Sequence, residues 1–233
     1  MRSRFATLTL TMQLALFDLD HTLIPLDSDH AWGVFTTSLG WNDPDEFTHR
    51  NDAFYADYRD GTLDIAAYVR FSTAALCRVG PQQAGEVIER FLDEVIRPAL
   101  LPAALALLAW HRAEGAEIVL VTATNDFVTR PIASALGIQE LLATRLERSP
   151  TTGWFTGEID GTPCFQAGKV ERVSQWLASR GWGWDSVETT FYSDSINDLP
   201  LLEHVAHPVA TNADARLSAV AAERGWPTLQ LFV

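Results

Sequence analysis

Leu14-Ala15-Leu16-Phe17-Asp18-Leu19-Asp20-His21-Thr22-Leu23 sets four apolar residues directly before an acid, with a second acid two positions on. An apolar run without polar alternation reads as a strand buried on both faces, the kind found in parallel sheets. Carboxylates at the end of such a strand are costly to bury unless a cation compensates them. The stretch therefore points to an ion and, with it, a reaction. The plainer alternative is a strand that merely ends in an acidic turn.

Two more apolar runs end in the same manner. Glu117-Ile118-Val119-Leu120-Val121 runs into Thr122-Ala123-Thr124-Asn125, and Thr189-Thr190-Phe191-Tyr192 meets Ser193-Asp194-Ser195-Ile196-Asn197-Asp198. Helical patterns separate them: about Pro102 to Ala113, Asp126 to Leu136, and Gln166 to Ser179. Strands alternating with helices make a parallel α/β sheet with right-handed crossovers. In open sheets of this kind the ligand sits outside the carboxyl ends of the strands. The polar strand ends are thus expected on one edge. Leu141–Leu146 and Trp154–Ile159 read as a hairpin, and shorter strands are expected near Pro208–Ala210 and Leu229–Phe232.

Residues 28–99 differ. They hold no strand-like run, their apolar positions recur at helical spacing, and breaks fall near Gly40–Pro44, Gly61 and Gly80-Pro81. The chain thus reads as a Rossmann-like, doubly wound parallel sheet with an inserted all-helical cap. The core domain takes 12–27 and 100–233, the cap 28–99, and 1–11 form a short N-terminal extension. That extension carries Arg2 and Arg4 before a moderately apolar run, but no small-residue cleavage site separates it from the Asp18 strand, so it does not read as a signal peptide. Met12 is a second candidate start.

The chain has 233 residues, 47% of them hydrophobic, enough for one domain with a sizeable insertion or two small ones. Seventeen basic residues against 30 acidic leave a net charge of −13. That balance argues against a nucleic-acid or anionic-membrane partner, and disfavours an anionic substrate unless a metal and local cations reverse the field. No segment reaches the ~18 apolar residues that span a bilayer. Cys77 and Cys164 stand far apart, which suits a reducing cytoplasm. Lys169 is the only lysine.

Carboxylates at one edge, a hydroxyl and a lysine make a phosphoryl-transfer set. Asp18 and Asp194 are oxygen ligands suited to Mg²⁺. Thr122 and backbone N–H groups at a helix start can hold phosphate oxygens. A carboxylate can attack phosphorus, and a second acid can protonate the leaving oxygen and then activate water.

Phe17-Asp18-Leu19-Asp20-His21-Thr22-Leu23 resembles the first motif of the haloacid dehalogenase superfamily. Thr122 fills the second motif, Lys169 the third, and Asp194 to Asp198 the fourth, in the family's order over residues 14 to about 200. The helical insertion resembles the cap of the phosphoserine-phosphatase-like branch. The resemblance implies a Mg²⁺-dependent phosphatase working through an aspartyl-phosphate. In it Asp18 is nucleophile and metal ligand, and Asp20 is the acid/base and binds the metal through its backbone carbonyl. Asp194 and Asp198 complete the metal set, Asp198 through water. Lys169 is catalytic and, with Thr122, Ala123 and Asn197, binds phosphate. Two departures, Thr122 for a commoner Ser and Ser193 for a commoner Gly, remove no ligand. A mutase shares the intermediate and stays open. A dehalogenase has no need of Asp20, and a receiver-type signalling module explains neither Asp20 nor the insertion. A dead binding protein would be expected to have lost one of the four motif groups.

For substrate, the branch carries an acid facing the substrate amine nine residues after the nucleophile, here Asp27, with Asp29 close behind; either acid could instead simply cap a helix. An acidic cap mouth favours a phosphate ester bearing a cation. Histidinol phosphate ranks narrowly first, with Trp32 expected to stack on its ring. Phosphoserine is the alternative, with Arg70 expected to meet its carboxylate. The partner is thus a small-molecule phosphate ester, and the chain a monomer or homodimer.

Overall fold

The structure, a computed structural model, describes residues 11–232; the expected extension lies outside it except for residue 11. The apolar run forms β1 (Met12–Phe17). Four helices follow, α1 (Ser28–Ser38), α2 (Pro44–Asp60), α3 (Ile65–Val79) and α4 (Pro81–Phe91), the last continuing through a π-helical turn into α5 (Arg97–Ala99). Then come α6 (Pro102–Ala113), β2 (Glu117–Asn125), α7 (Asp126–Ala135), β3 (Glu140–Thr144), β4 (Leu146–Arg148) and β5 (Phe155–Ile159). The chain finishes with α8 (Ala167–Ser179), β6 (Val187–Ser193), α9 (Leu199–Leu202), β7 (His207–Thr211), α10 (Ala215–Arg224) and β8 (Thr228–Leu229). Among the described residues no helix is long and apolar enough to cross a membrane.

The helix boundaries have local causes. Asp27, Asp43 and Asp64 each accept a hydrogen bond from a first-turn backbone N–H of α1, α2 and α3. Gly61 closes α2 at φ 75°, a left-handed conformation that glycine adopts without cost.

Six strands form one sheet in the order β3-β2-β1-β6-β7-β8, with every pairing parallel. Phe17 stands level with Leu120 on one side and Tyr192 on the other. The residues just beyond, Asp18, the Val121–Thr122 pair and Ser193, are therefore neighbours at the carboxyl edge. Because side chains alternate along a strand, Ala15 and Phe17 enter one apolar cluster while Leu14 and Leu16 enter another. All four are essentially inaccessible, and burying each contributes about 1.5–3 kcal/mol for the larger side chains.

The first cluster does not stop at the sheet. It runs through Trp32, Leu76 and Phe91 of the helical segment, and Trp32 meets Phe127 of α7 edge-on with ring centres 5.7 Å apart. The expected hairpin is divided. Its first arm breaks at Arg145, so that β3 joins the sheet edge beside β2, and only β4 pairs antiparallel with β5. β2 also runs to Asn125, four residues beyond its apolar part. The final strand is two residues long, shorter than expected.

The turn into α8 is tight. Gln166 takes φ 48° just before the helix, and Gly168 in its first turn faces the Pro163 carbonyl so closely that a Cβ would lie 2.1 Å from that oxygen. Gly168→Ala must displace the start of α8, at about 1–3 kcal/mol for the overpacking. It is expected to lower the thermal midpoint and, by shifting Lys169, to cut turnover. A variant with wild-type midpoint and turnover would show that the contact yields freely.

Candidate active site

Strand order reverses beside β1: β2 and β3 lie on one side of it, β6 and β7 on the other. Such a switch point opens a crevice at the carboxyl edge of the sheet. There a cavity of about 1330 Å³ is floored by Asp18, Asp20, Thr122, Lys169, Asp194 and Asp198 and walled by α1, α2 and α3.

Asp18 continues β1: its backbone N–H donates to Tyr192 O at 2.9 Å. Lys169, only 2% exposed, reaches in from the first turn of α8 and donates to Asp18 Oδ1 and Asp198 Oδ2, both at 2.7 Å. Ser193 Oγ also donates to Asp198 Oδ2, at 2.7 Å. Burial alone would push the ammonium down, but the two carboxylates outweigh it and hold Lys169 above its ordinary range. Asp18 is pushed up to about 6, because burial and repulsion from Asp198 exceed the attraction of Lys169. Asp194 also lies well above the carboxylate range, through burial and then through repulsion from Asp18 and Asp198. Thr22 fixes it, donating its hydroxyl to Asp194 Oδ1 at 3.2 Å and accepting from the Asp194 N–H at 3.0 Å.

Asp20 is held by both oxygens. The Ser28 N–H donates to Oδ1 and the Thr124 hydroxyl to Oδ2, each at 2.8 Å. Burial, then repulsion from Asp27 and Asp18, raises its carboxyl well above the ordinary range. Thr122 is buried beside it, accepting from the Thr124 N–H at 3.2 Å, and Ala123 lines the cavity. Asn197 lines it too, yet its amide is engaged elsewhere: Nδ2 donates to Tyr58 O at 3.0 Å, and Oδ1 accepts from Gln166 at 3.3 Å.

The charge balance asks for a further cation. Fully ionised, Asp18, Asp194 and Asp198 would set three negative charges against one ammonium, an excess of about two that a divalent ion would cancel. The donors are hard oxygens, which fits Mg²⁺. Among the described residues no three His, Cys, Asp or Glu side chains form a closed cage; an ion that keeps several of its waters needs none.

Two expected specificity residues stand elsewhere. Trp32 is 3% exposed and wedged edge-on among Trp41, Phe91 and Phe127, so it is a packing residue and presents no face to the cavity. Arg70 is exposed on α3, pairs with Glu158 of β5 at 3.1 Å and does not line the cavity. Asp27 does line it, while its Oδ1 caps α1 through the His30 N–H at 2.9 Å. Sequence reasoning missed Tyr58, whose hydroxyl bonds Ser195 Oγ at 2.9 Å, and Tyr68 and Thr124. The tyrosines sit at ordinary helical spacing and read as packing. Thr124 carried a signal, a second hydroxyl in a strand end that the apolar run had already left.

A family model for haloacid dehalogenase-like hydrolases matches residues 15–203. A histidinol-phosphatase from Neisseria meningitidis serogroup C (strain 8013) is 43% identical over 217 residues, covering 93% of this chain and 97% of that one. Phosphoserine phosphatase SerB1 of Mycobacterium tuberculosis (strain ATCC 25618 / H37Rv) is 32% identical over 218 residues, covering 91% of this chain and 68% of that one. Among solved structures, a protein of unknown function from Bordetella pertussis Tohama I superposes with a TM-score of 0.89 at 46% identity, covering 95% of this chain and all of that one. A phosphoserine phosphatase carrying a phospho-aspartyl intermediate analogue shares the fold, with a TM-score of 0.66 at 17% identity over 95% of this chain and 94% of that one. The match spans the three strands and the helix that bring Asp18, Thr122, Lys169 and Asp194 together, and the chain belongs to the haloacid dehalogenase-like hydrolase family.

Proposed function

We propose that this phosphoric monoester hydrolase acts on histidinol phosphate, with Mg²⁺, through an aspartyl-phosphate on Asp18. The observation that carries the reading is the make-up of the cavity lining. One cavity holds Asp18 and Lys169 together with Asp27, Asp29, Tyr68 and Phe54. An ester with a phosphate at one end and a nitrogen base at the other matches both sets. The 43% identical histidinol-phosphatase supports the same choice. Phosphoserine also carries an amine, but its carboxylate needs a basic partner: Arg70 is engaged with Glu158 outside the cavity, and of the arginines that line it Arg59 lies against the Tyr55 ring and Arg216 donates to Arg59 O.

In this reading Asp18 attacks phosphorus while Lys169 holds the attacking carboxylate and Asp198 in place. The Thr122 hydroxyl and the Ala123 N–H take phosphate oxygens, with Asn197 bracing that wall through Tyr58 and Gln166. Asp20, buried and raised, gives its proton to the leaving alcohol oxygen, then takes one from the water that attacks the phospho-aspartate. Asp18 and Asp194 would hold Mg²⁺, with the Asp20 carbonyl and Asp198 through water, and the ion would supply charge neutralisation for the phosphoryl group. Residues 28–99 act as a cap over the core of 12–27 and 100–233, excluding water during transfer.

Kinetics over histidinol phosphate, phosphoserine, glycerol phosphate and an aryl phosphate test this. The highest kcat/KM is expected for histidinol phosphate, with activity lost on chelation, restored by Mg²⁺ and abolished in Asp18→Asn. A preference for phosphoserine overturns the substrate, and full activity in Asp18→Asn overturns the covalent route.

Lys169→Met removes the ammonium between two buried carboxylates. Breaking a buried pair in this way costs about 3–5 kcal/mol. The chelated variant should unfold at a clearly lower urea concentration than wild type and show no turnover. An unchanged midpoint would mean that the pair contributes nothing net.

A further inference from the structure

The mechanism leaves one buried acid of the cavity unused. Asp29, in the first turn of α1, is 5% exposed and lines the same cavity as Asp18. Its Oδ1 accepts from Asn125 Nδ2 at 3.0 Å. That amide cannot turn, because its own oxygen accepts the Val128 N–H at 3.1 Å, capping α7. The Tyr68 and Ser72 hydroxyls of α3 also act as donors to the carboxylate, but among the described residues no Lys, Arg or His pairs with it. A buried carboxylate without a counter-ion is costly even when it is hydrogen-bonded. Here the carboxylate lines a cavity built for ligand, so the missing cation can arrive with the ligand.

We infer that Asp29 is the specificity-determining residue of this cavity, and that its carboxylate takes a protonated amine or imidazole of a phosphate monoester. The inference rests on reading the cavity as the phosphatase site, and it assigns the recognition to Asp29 rather than to Asp27. Asp27 is half-buried and already caps α1. The surrounding walls agree. Tyr68 and Phe54 line the cavity and offer aromatic surface to a cation. The two arginines of the lining, Arg59 and Arg216, are engaged with their neighbours: the Arg59 guanidinium lies over the Tyr55 ring, and Arg216 donates to Arg59 O.

Asp29 is also poised near neutrality. Burial first, then repulsion from Asp27, pushes it up to about 7. The groups facing it are Asp27 on its own helix, Tyr68 and Ser72 on α3, and the Asn125 amide from β2. Burial holds Tyr68 well above its ordinary range, so it faces Asp29 as a neutral hydroxyl. The neighbouring His30 ring is engaged by the Asn51 amide at 2.8 Å. A cation favours the ionised carboxylate. Its attraction is therefore complete above pH 7 and is lost as pH falls through 7.

Asp29→Asn keeps the shape and the acceptor for Asn125 and removes only the charge. The readout is the ratio of kcat/KM for histidinol phosphate to that for p-nitrophenyl phosphate, which carries no cation. We expect this ratio to fall about ten- to a hundredfold in the variant, mainly through KM, the worth of one charge-assisted contact. An unchanged ratio overturns the assignment to Asp29 and leaves histidinol phosphate standing if wild type still prefers it. If wild type instead prefers phosphoethanolamine and the variant loses that preference, the role of Asp29 stands and the histidinol phosphate reading falls. A second measurement needs no variant. Glycerol phosphate carries the same titrating phosphate without a cation. Between pH 8 and pH 6 the wild-type KM for phosphoethanolamine should rise about tenfold more than that for glycerol phosphate. Parallel profiles overturn the inference.

Discussion

A single ammonium, Lys169 Nζ, stands 2.7 Å from both Asp18 and Asp198 in the interior of a chain with a net charge of −13. Much of the structure follows from keeping it there. Its partners come from the ends of two adjacent strands, Asp18 after β1 and Asp198 after β6, and it comes from the first turn of α8. Any slip in the β1–β6 register would pull the carboxylates apart. The conformation of Gln166 and the bare Cα of Gly168 let α8 start close enough for Lys169 to reach across. Buried ion pairs of this type are weak devices for stability, since both charges lose their water. Their worth here lies in position: the Asp18 carboxylate, held by a cation, opens onto the cavity.

The central sheet was legible because its strands carry a signal that burial dictates. Leu14 to Phe17 and Ile118 to Val121 must be apolar on both faces if helices cover both faces. The breaks of the helical segment were equally readable, since Asp43-Pro44 and Gly80-Pro81 act locally. Residues 141–159 were harder. Whether Leu141 pairs with its neighbour in sequence or with β2 depends on partners about twenty residues away, and alternation alone gives no preference. The aromatic cluster that joins α1, α4 and α7 was likewise invisible, because Trp32, Phe91 and Phe127 lie far apart in the sequence.

The meeting of the motif residues in one cavity was readable for a related reason: Asp18, Thr122, Lys169 and Asp194 sit at strand ends or a helix start, where topology brings them together. Specificity residues have no such anchor. Trp32 has the largest apolar surface in α1, and surface of that size goes to the core when a core is in reach. Arg70 found an acid on β5 and stayed in water. Asp27 and Asp29 look alike in sequence, and both fit an N-cap. Only the three-dimensional position of Asn125 separates the one that caps from the one that is buried.

The strongly acidic composition then ceases to conflict with an anionic substrate. Field at a site is set by the groups within a few ångströms, not by the net charge of the surface, which salt screens beyond about a Debye length. On the floor of the cavity, carboxylates outnumber the ammonium; with the proposed divalent ion bound, phosphate would meet cations rather than anions. Asp27 and Asp29 line the same cavity without a counter-ion among the described residues, and the proposed cationic substituent would meet them. A ligand with opposite charges at its two ends is drawn in the correct orientation and repelled in the reverse one. In the proposed reading, the acidic residues that weaken binding of a plain phosphate ester would be what discriminates for an ester carrying a base. That discrimination needs like-charge repulsion as much as attraction.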